Sequence, residues 1–125
     1  MSPESDPKQP PAFRVLIVDD DELVRRMLAT ALQRAGWEVL AVDGGAPALA
    51  VADQGWHLAL IDRTMPGIDG LRLGAELRAR HPDVRLVLFT GGDTEGAAPP
   101  PFDLVLGKPI RPAKLIESLR VFAPT

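Results

Sequence analysis

The feature that most constrains the fold is a regular alternation between short apolar runs and longer segments with helical spacing. The first run, Val15–Val18, is continuously apolar and mostly β-branched, as expected for a strand buried on both faces of a sheet. Between Leu23 and Ala35, apolar residues recur three and four positions apart, which is typical of an amphipathic helix, and Gly36 would end it. Strands that alternate with helices predict βαβ units, and therefore a parallel sheet covered on both faces.

The same alternation continues to the end of the chain and predicts five strands in all. Further strands are expected at 37–42, 58–61, 85–89 and 104–106, and further helices at 47–52, 71–80 and 112–122. The length of 125 residues allows one domain. Because prolines and polar side chains dominate its beginning, we predict a disordered, proline-rich tail over 1–12 and one folded domain over 13–123.

The composition excludes several classes of function. The chain has no cysteine, which rules out a disulfide scaffold, a thiolate metal site and a cysteine nucleophile. A formal net charge of −3 argues against nucleic acid as a direct partner. No apolar run approaches the roughly 18 residues that a membrane span requires, so no membrane association is expected.

Polar residues of distinctive chemistry stand where four of the predicted strands end. In chain order they are Asp19, Asp20, Asp62, Thr90 and Lys108. Ligands of an open parallel sheet bind beyond the carboxyl ends of its strands, which is where these side chains would meet. Three carboxylates in one crevice repel each other unless a cation is present, and oxygen ligands favour Mg²⁺ or Mn²⁺. A carboxylate beside such an ion, a hydroxyl and a lysine can accept a phosphoryl group, and Asp62, alone on its strand, is the natural acceptor.

Each of these residues, taken alone, also has a purely structural explanation. The acidic run Asp19–Glu22 could cap the following helix and match its dipole. Asp62 could be a turn residue, and Lys108 could be a solvated surface lysine. The joint occurrence of the right groups at four strand ends is what favours a phosphoryl-transfer site.

The chain resembles the receiver domains of bacterial response regulators over most of its length, from about Arg14 to Val121. Four stretches carry the resemblance: Leu16–Asp20, Asp62–Gly70, Phe89–Gly91 and Lys108–Pro109. The second stretch matches the family's D-x-x-M-P-x-x-D-G loop and is the most specific. The resemblance implies an α/β, flavodoxin-like, doubly wound sheet of five parallel strands in the order 2-1-3-4-5.

The resemblance also implies a role for each site residue. Side chains of three residues and the backbone carbonyl of a fourth would hold Mg²⁺ or Mn²⁺, namely Asp19, Asp20, Asp62 and Thr64. Asp62 would also be the phosphoacceptor. Thr90 would be the hydroxyl that moves to meet the phosphoryl group, and Lys108 would contact that group. The Lys108–Pro109 peptide would be cis.

The partners follow from the same resemblance. A sensor histidine kinase or a histidine phosphotransfer protein would supply the phosphoryl group in the cytoplasm, and the output would be contact with an unidentified protein. The chain would catalyse only its own phosphorylation and dephosphorylation. The alternative is a pseudo-receiver that binds partners without phosphorylation, which the complete set of site residues disfavours. A third candidate, an aspartate-nucleophile phosphatase, is disfavoured. Such enzymes usually have an Asp as acid–base residue two positions after the nucleophile, and this chain has Thr64 there.

The segment before the site lysine departs from the family pattern. It has Val105 where the family usually has an aromatic residue, and only 17 residues separate the threonine from the lysine of the site. The proline run Pro99–Pro101 lies within this segment and cannot continue inside a helix. We therefore expect the family's fourth helix to be reduced or absent, and the response to phosphorylation to be an ordering or shift of residues 91–103.

Overall fold

The computed structural model describes residues 12–92, 94 and 96–124, so nearly all of the predicted tail lies outside the described residues. Within this part of the chain, five strands and four helices follow one another in the predicted order. They are β1 (Arg14–Val18), α1 (Glu22–Arg34), β2 (Glu38–Val42), α2 (Gly45–Ala50), β3 (Leu58–Asp62), α3 (Gly70–Arg80), β4 (Arg85–Thr90), β5 (Leu104–Gly107) and α4 (Pro112–Leu119). None of these helices has the length and apolar character needed to cross a bilayer.

Short acidic side chains determine where two of the helices begin. The carboxylate of Asp21 accepts hydrogen bonds from the backbone N–H groups of Leu23 and Val24 at 2.9 and 3.2 Å, which starts α1. Asp69 starts α3 in the same way, accepting from the backbone N–H of Arg72 at 2.9 Å. The acidic run after β1 therefore does cap a helix, but through Asp21, which leaves the two carboxylates before it available for other contacts.

The five strands form one parallel sheet in the order β2-β1-β3-β4-β5, which confirms the predicted topology. In the pairing of β1 with β3, Val18 is in register with Ile61. The residues that follow, Asp19 and Asp62, are therefore neighbours at the carboxyl edge of the sheet. This is the edge at which doubly wound sheets bind their ligands.

Helices cover both faces of the sheet and create two apolar clusters. One contains alternate residues of β1 and β3, together with α1 and α4, and includes Ile17, Leu32 and Leu115. The other contains the remaining strand residues with α2 and α3, and includes Leu16 and Leu73. Every residue of β3 is buried, as the continuous apolar runs predict for a central strand.

Between β4 and β5, the described residues form turns and bends and no helix, as expected from the proline run. Phe102 of this segment is 6% exposed and packs against α3. A Cβ built on Gly74 of α3 would lie 2.5 Å from Cζ of the Phe102 ring, so the ring occupies the space that a side chain at this position would need. An aromatic side chain from the loop therefore fills volume beside α3.

Arg78 of α3 holds the end of the same segment. Its guanidinium donates hydrogen bonds to the carbonyl of Val84 at 2.6 Å, the carbonyl of Pro101 at 3.2 Å and Oδ2 of Asp103 at 3.1 Å. Asp103 Oδ2 also accepts the backbone N–H of Leu86 at 2.9 Å. One arginine thus connects α3, the beginning of β4 and the residues that lead into β5.

The last helix, α4, is short, with eight residues, and a 3₁₀ turn at Arg120–Phe122 follows it. The prediction of a single helix through Phe122 was therefore too long. Leu115 and Leu119 are fully buried, as their helical spacing predicts, while Phe122 lies half-buried in the turn.

Candidate functional site

Three carboxylates meet beyond the ends of β1 and β3. One oxygen each of Asp19, Asp20 and Asp62 lies within 4.8 Å of the other two. Asp19 and Asp62 are buried, at 1% and 7% exposure, whereas Asp20 is exposed. Two of the three carboxylate residues are thus buried in the fold, and the third is exposed to solvent. The structure brings the predicted acidic residues together.

Lys108 reaches this cluster from the end of β5. Its Nζ lies 2.9 Å from Oδ2 of Asp19 and 3.3 Å from Oδ1 of Asp62. Its backbone N–H donates to the carbonyl of Thr90 at 2.8 Å, and the Lys108–Pro109 peptide is cis, as the resemblance implies. The alternative interpretation of Lys108 as a solvated surface lysine is wrong, because its ammonium group lies between two buried carboxylates.

The protein's own charges at the site do not balance, because three carboxylates share one lysine ammonium group. Burial raises the pKa of Asp62, and repulsion from Asp19 raises it further, while Lys108 and the Thr64 N–H act in the opposite direction. Burial alone would lower the pKa of Lys108, but its hydrogen bond to Asp19 and the two carboxylate charges outweigh that effect and raise it. The positive charge of one lysine cannot neutralise three carboxylates. The remaining hard oxygen ligands are of the kind that Mg²⁺ and Mn²⁺ prefer.

Two threonines stand close to Asp62 along the chain or across the sheet: Thr64 follows it by two residues, and Thr90 follows Phe89, which is in register with Asp62. The backbone N–H of Thr64 points at Oδ1 of Asp62, with a donor–acceptor distance of 3.4 Å. Thr90 is buried at the end of β4, and its Oγ1 accepts the backbone N–H of Gly92 at 3.1 Å. Because this oxygen is the acceptor there, the hydroxyl proton of Thr90 can be donated elsewhere. The roles that the resemblance implies for Thr64 and Thr90 stay predictions.

Two further residues shape the site. Gly70 was recognised only as the last residue of the Asp62–Gly70 motif, without a role of its own, and Arg25 was missed from the sequence. A Cβ on Gly70 would lie 2.3 Å from the backbone oxygen of Asp62, so only glycine allows this approach. Arg25 of α1 donates from Nη1 to the backbone carbonyl of Asp19 at 2.8 Å. Gly70 had a signal in the sequence, because glycine disfavours helix formation and yet stands where α3 begins. Arg25 had none, because exposed and half-buried arginines share the same helical pattern.

Asp62→Asn is expected to stabilise the metal-free protein near neutral pH. Since the folded-state pKa of Asp62 is raised, its carboxyl favours the folded state below the unfolded pKa, about 4, and this contribution is lost as the pH rises through the folded value. At neutral pH the charged Asp62 is therefore a net cost, which the amide removes. Thermal unfolding in a chelator between about pH 4 and pH 8 should show a gain in Tm that shrinks towards acid. Exposed Asp83→Asn is the control, and equal melting of Asp62→Asn and the parent chain at neutral pH would contradict this prediction.

Comparison with known proteins gives the same picture. The family model described as response regulator receiver domain matches residues 15–120. The response regulator receiver protein CpdR of Brucella abortus (strain 2308) is 35% identical over 79 residues, which cover 62% of this chain and 66% of that protein. The chain spans two thirds or less of the length of the curated relatives it matches.

Solved structures match over most of the chain. A sensor protein from Polaromonas sp. JS666 is 31% identical, with a TM-score of 0.79 over 89% of this chain and 95% of that one. The response regulator protein TrrA from Thermotoga maritima, solved in complex with Mg(2+)-BeF, is 28% identical, with a TM-score of 0.79 over 88% of this chain and 98% of that one.

Proposed function

Since the chain belongs to the response regulator receiver domain family, we propose that it accepts a phosphoryl group on Asp62 within a two-component or phosphorelay system. The observation that carries this proposal is the position of Asp62. Its carboxylate is buried at the end of β3, clusters with two further carboxylates and lies 3.3 Å from the ammonium group of Lys108. The proposed donor is the phosphohistidine of a sensor histidine kinase or of a histidine phosphotransfer protein.

The proposed reaction needs little from the protein beyond a nucleophile and groups that neutralise charge. An oxygen of Asp62 attacks phosphorus, the bond from phosphorus to the histidine nitrogen breaks, and its electron pair remains on the imidazole. Lys108 favours the ionised, nucleophilic form of Asp62 and can donate to the phosphoryl oxygens. Thr90 supplies a further hydroxyl donor. Catalysis would be limited to phosphorylation and dephosphorylation of this chain itself.

Asp19, Asp20 and Asp62 would hold Mg²⁺ or Mn²⁺, with the backbone carbonyl of Thr64 as a further ligand. Hard oxygen donors, an excess of negative charge and one solvent-facing carboxylate support this proposal. When bound, the ion would neutralise charge on the transferring oxygens.

Intact mass after incubation with acetyl phosphate and Mg²⁺ tests the proposal. The native chain should gain one phosphoryl group, and Asp62→Asn should gain none. Asp83→Asn, which changes an exposed carboxylate elsewhere, should label as the native chain does. An unlabelled native chain, or equal labelling of Asp62→Asn, would overturn the proposal. An unlabelled chain would favour the alternative, a receiver-fold module that binds partners without phosphorylation.

The proposed output is a change in the segment 91–103, which leads away from Thr90. Its distal end is fixed to α3 by the buried ring of Phe102 and by Arg78. We therefore expect amide exchange to change in the part of the segment near Thr90 when beryllium fluoride and Mg²⁺ mimic the phosphoryl group. Exchange at Asp103, whose N–H donates to Leu86, should stay the same and serves as an internal control. Identical exchange across the whole segment in both states would contradict this output.

A further inference from the structure

Asp19 is held by contacts to each of its polar groups. Its backbone N–H donates to Val42 at 3.2 Å, and its Oδ1 accepts the backbone N–H of Asp21 at 2.9 Å. Its Oδ2 accepts from Lys108 at 2.9 Å. The remaining polar group is the backbone carbonyl, and Nη1 of Arg25 donates to it at 2.8 Å.

That carbonyl belongs to the peptide that joins Asp19 to Asp20. Its orientation influences where the chain turns between β1 and α1, and therefore where the exposed carboxylate of Asp20 points. Asp20 is the member of the acidic cluster that faces solvent, so burial does little to fix its position. Arg25 lies one helical turn beyond the capping residue Asp21, with its own backbone N–H bonded to the Asp21 carbonyl at 2.9 Å. The arginine is thus anchored on a regular helix and reaches back to the turn.

We infer that Arg25 is a positioning residue for the metal site, which fixes the Asp19–Asp20 peptide so that the Asp20 carboxylate is presented to the ion. The inference rests on the proposed function, because it concerns the ion that the three carboxylates would hold. It assigns Arg25 no contact with the ion or with the phosphoryl group. Residues that orient metal ligands without touching the metal commonly change metal affinity by about 10–100-fold when they are replaced.

The sign of the effect separates this role from a purely electrostatic one. The guanidinium carries a positive charge next to an anionic cluster, so its removal, considered as charge alone, would strengthen cation binding. Loss of positioning would instead weaken it. Because the hydrogen bond is made to a carbonyl and not to a carboxylate, we expect the positioning effect to dominate.

The test measures Mg²⁺ affinity of the unphosphorylated chain by calorimetry, with Mn²⁺ binding by electron paramagnetic resonance as a second probe. Arg25→Met removes the donor and the charge while keeping an unbranched side chain, and should weaken binding about tenfold. Arg25→Lys keeps a charged donor and should recover most of the affinity. Arg26→Met is the matched control, because Arg26 is the next residue of the same helix, has a side chain 75% exposed and lies 3.9 Å from Glu22. It should bind Mg²⁺ as the native chain does.

A second readout separates positioning from general damage to the fold. In a chelator, Arg25→Met and Arg26→Met should melt within a few degrees of each other. In acetyl phosphate labelling, Arg25→Met should need about tenfold more Mg²⁺ for half-maximal rate, with the rate at saturating Mg²⁺ little changed. Unchanged or tighter Mg²⁺ binding by Arg25→Met would overturn the inference, as would a loss of affinity that Arg26→Met shares. A native chain that binds no Mg²⁺ would contradict the proposed metal site itself.

Discussion

Replacing Phe102 with alanine is expected to lower the free energy of unfolding by about 3–5 kcal/mol. Phe102 is 6% exposed and belongs to the apolar cluster that includes Leu73 and Leu88. Its ring lies against Gly74, which has no side chain that could move into the space left by the ring. The change therefore combines the loss of a buried aromatic surface with a cavity that collapses poorly.

Chemical denaturation of the two proteins measures this loss. Phe122→Ala is the matched control, because Phe122 is also aromatic but lies half-buried in the 3₁₀ turn, and its replacement should cost clearly less. The segment 91–103 stands where the family usually has its fourth helix. The alternative is a segment that lies loosely on the surface. A loss below about 1 kcal/mol for Phe102→Ala would support that alternative and contradict the packing described above.

Gly70→Ala is expected to slow phosphorylation of Asp62 by a factor of about ten or more, even though alanine favours helix formation over glycine by about 1 kcal/mol. The added Cβ would lie 2.3 Å from the backbone oxygen of Asp62 and 2.8 Å from Cα of Arg63. Both neighbours are backbone atoms, so relief requires a shift of the backbone that carries Asp62, the proposed nucleophile. Displacement of a reacting group by about 1 Å can cost about 100-fold in rate.

The rate of acyl phosphate formation from acetyl phosphate measures the effect. Gly44→Ala is the control, because its Cβ would meet only Cδ of Pro47, at an ordinary contact distance of 3.9 Å. Gly44→Ala should react at the native rate. If Gly70→Ala also did so while remaining folded, the close approach of α3 to Asp62 would have no role in placing the nucleophile.

The site could be predicted because the strand order, which the family resemblance implied, determines which strand ends are neighbours. Once β1 and β3 pair, Asp19 and Asp62 must lie together, whatever surrounds them. Apolar runs likewise indicated the strands, although Trp37, expected in β2, lies just before it and packs edge-on against Phe13 with ring centroids 5.1 Å apart.

Contacts between distant side chains were beyond the reach of the sequence. The proline run indicated that a helix was missing, yet nothing in the pattern showed that Phe102 would occupy the space beside Gly74. Hydrophobic periodicity tells which residues are buried but not which partner each one meets. The bond from Arg25 to a backbone carbonyl is invisible for the same reason, since every residue of the chain offers a carbonyl.

The connection that Arg78 makes between α3 and the end of the segment 91–103 has a consequence for which surface of the domain can change on phosphorylation. Several hydrogen bonds from Arg78 hold the end of this segment that precedes β5. A partner protein that binds beside α3 would therefore meet much the same surface before and after phosphorylation. We expect the two states to differ most in the few residues around Thr90. A partner that distinguishes the two states therefore has to contact the domain close to the phosphorylation site.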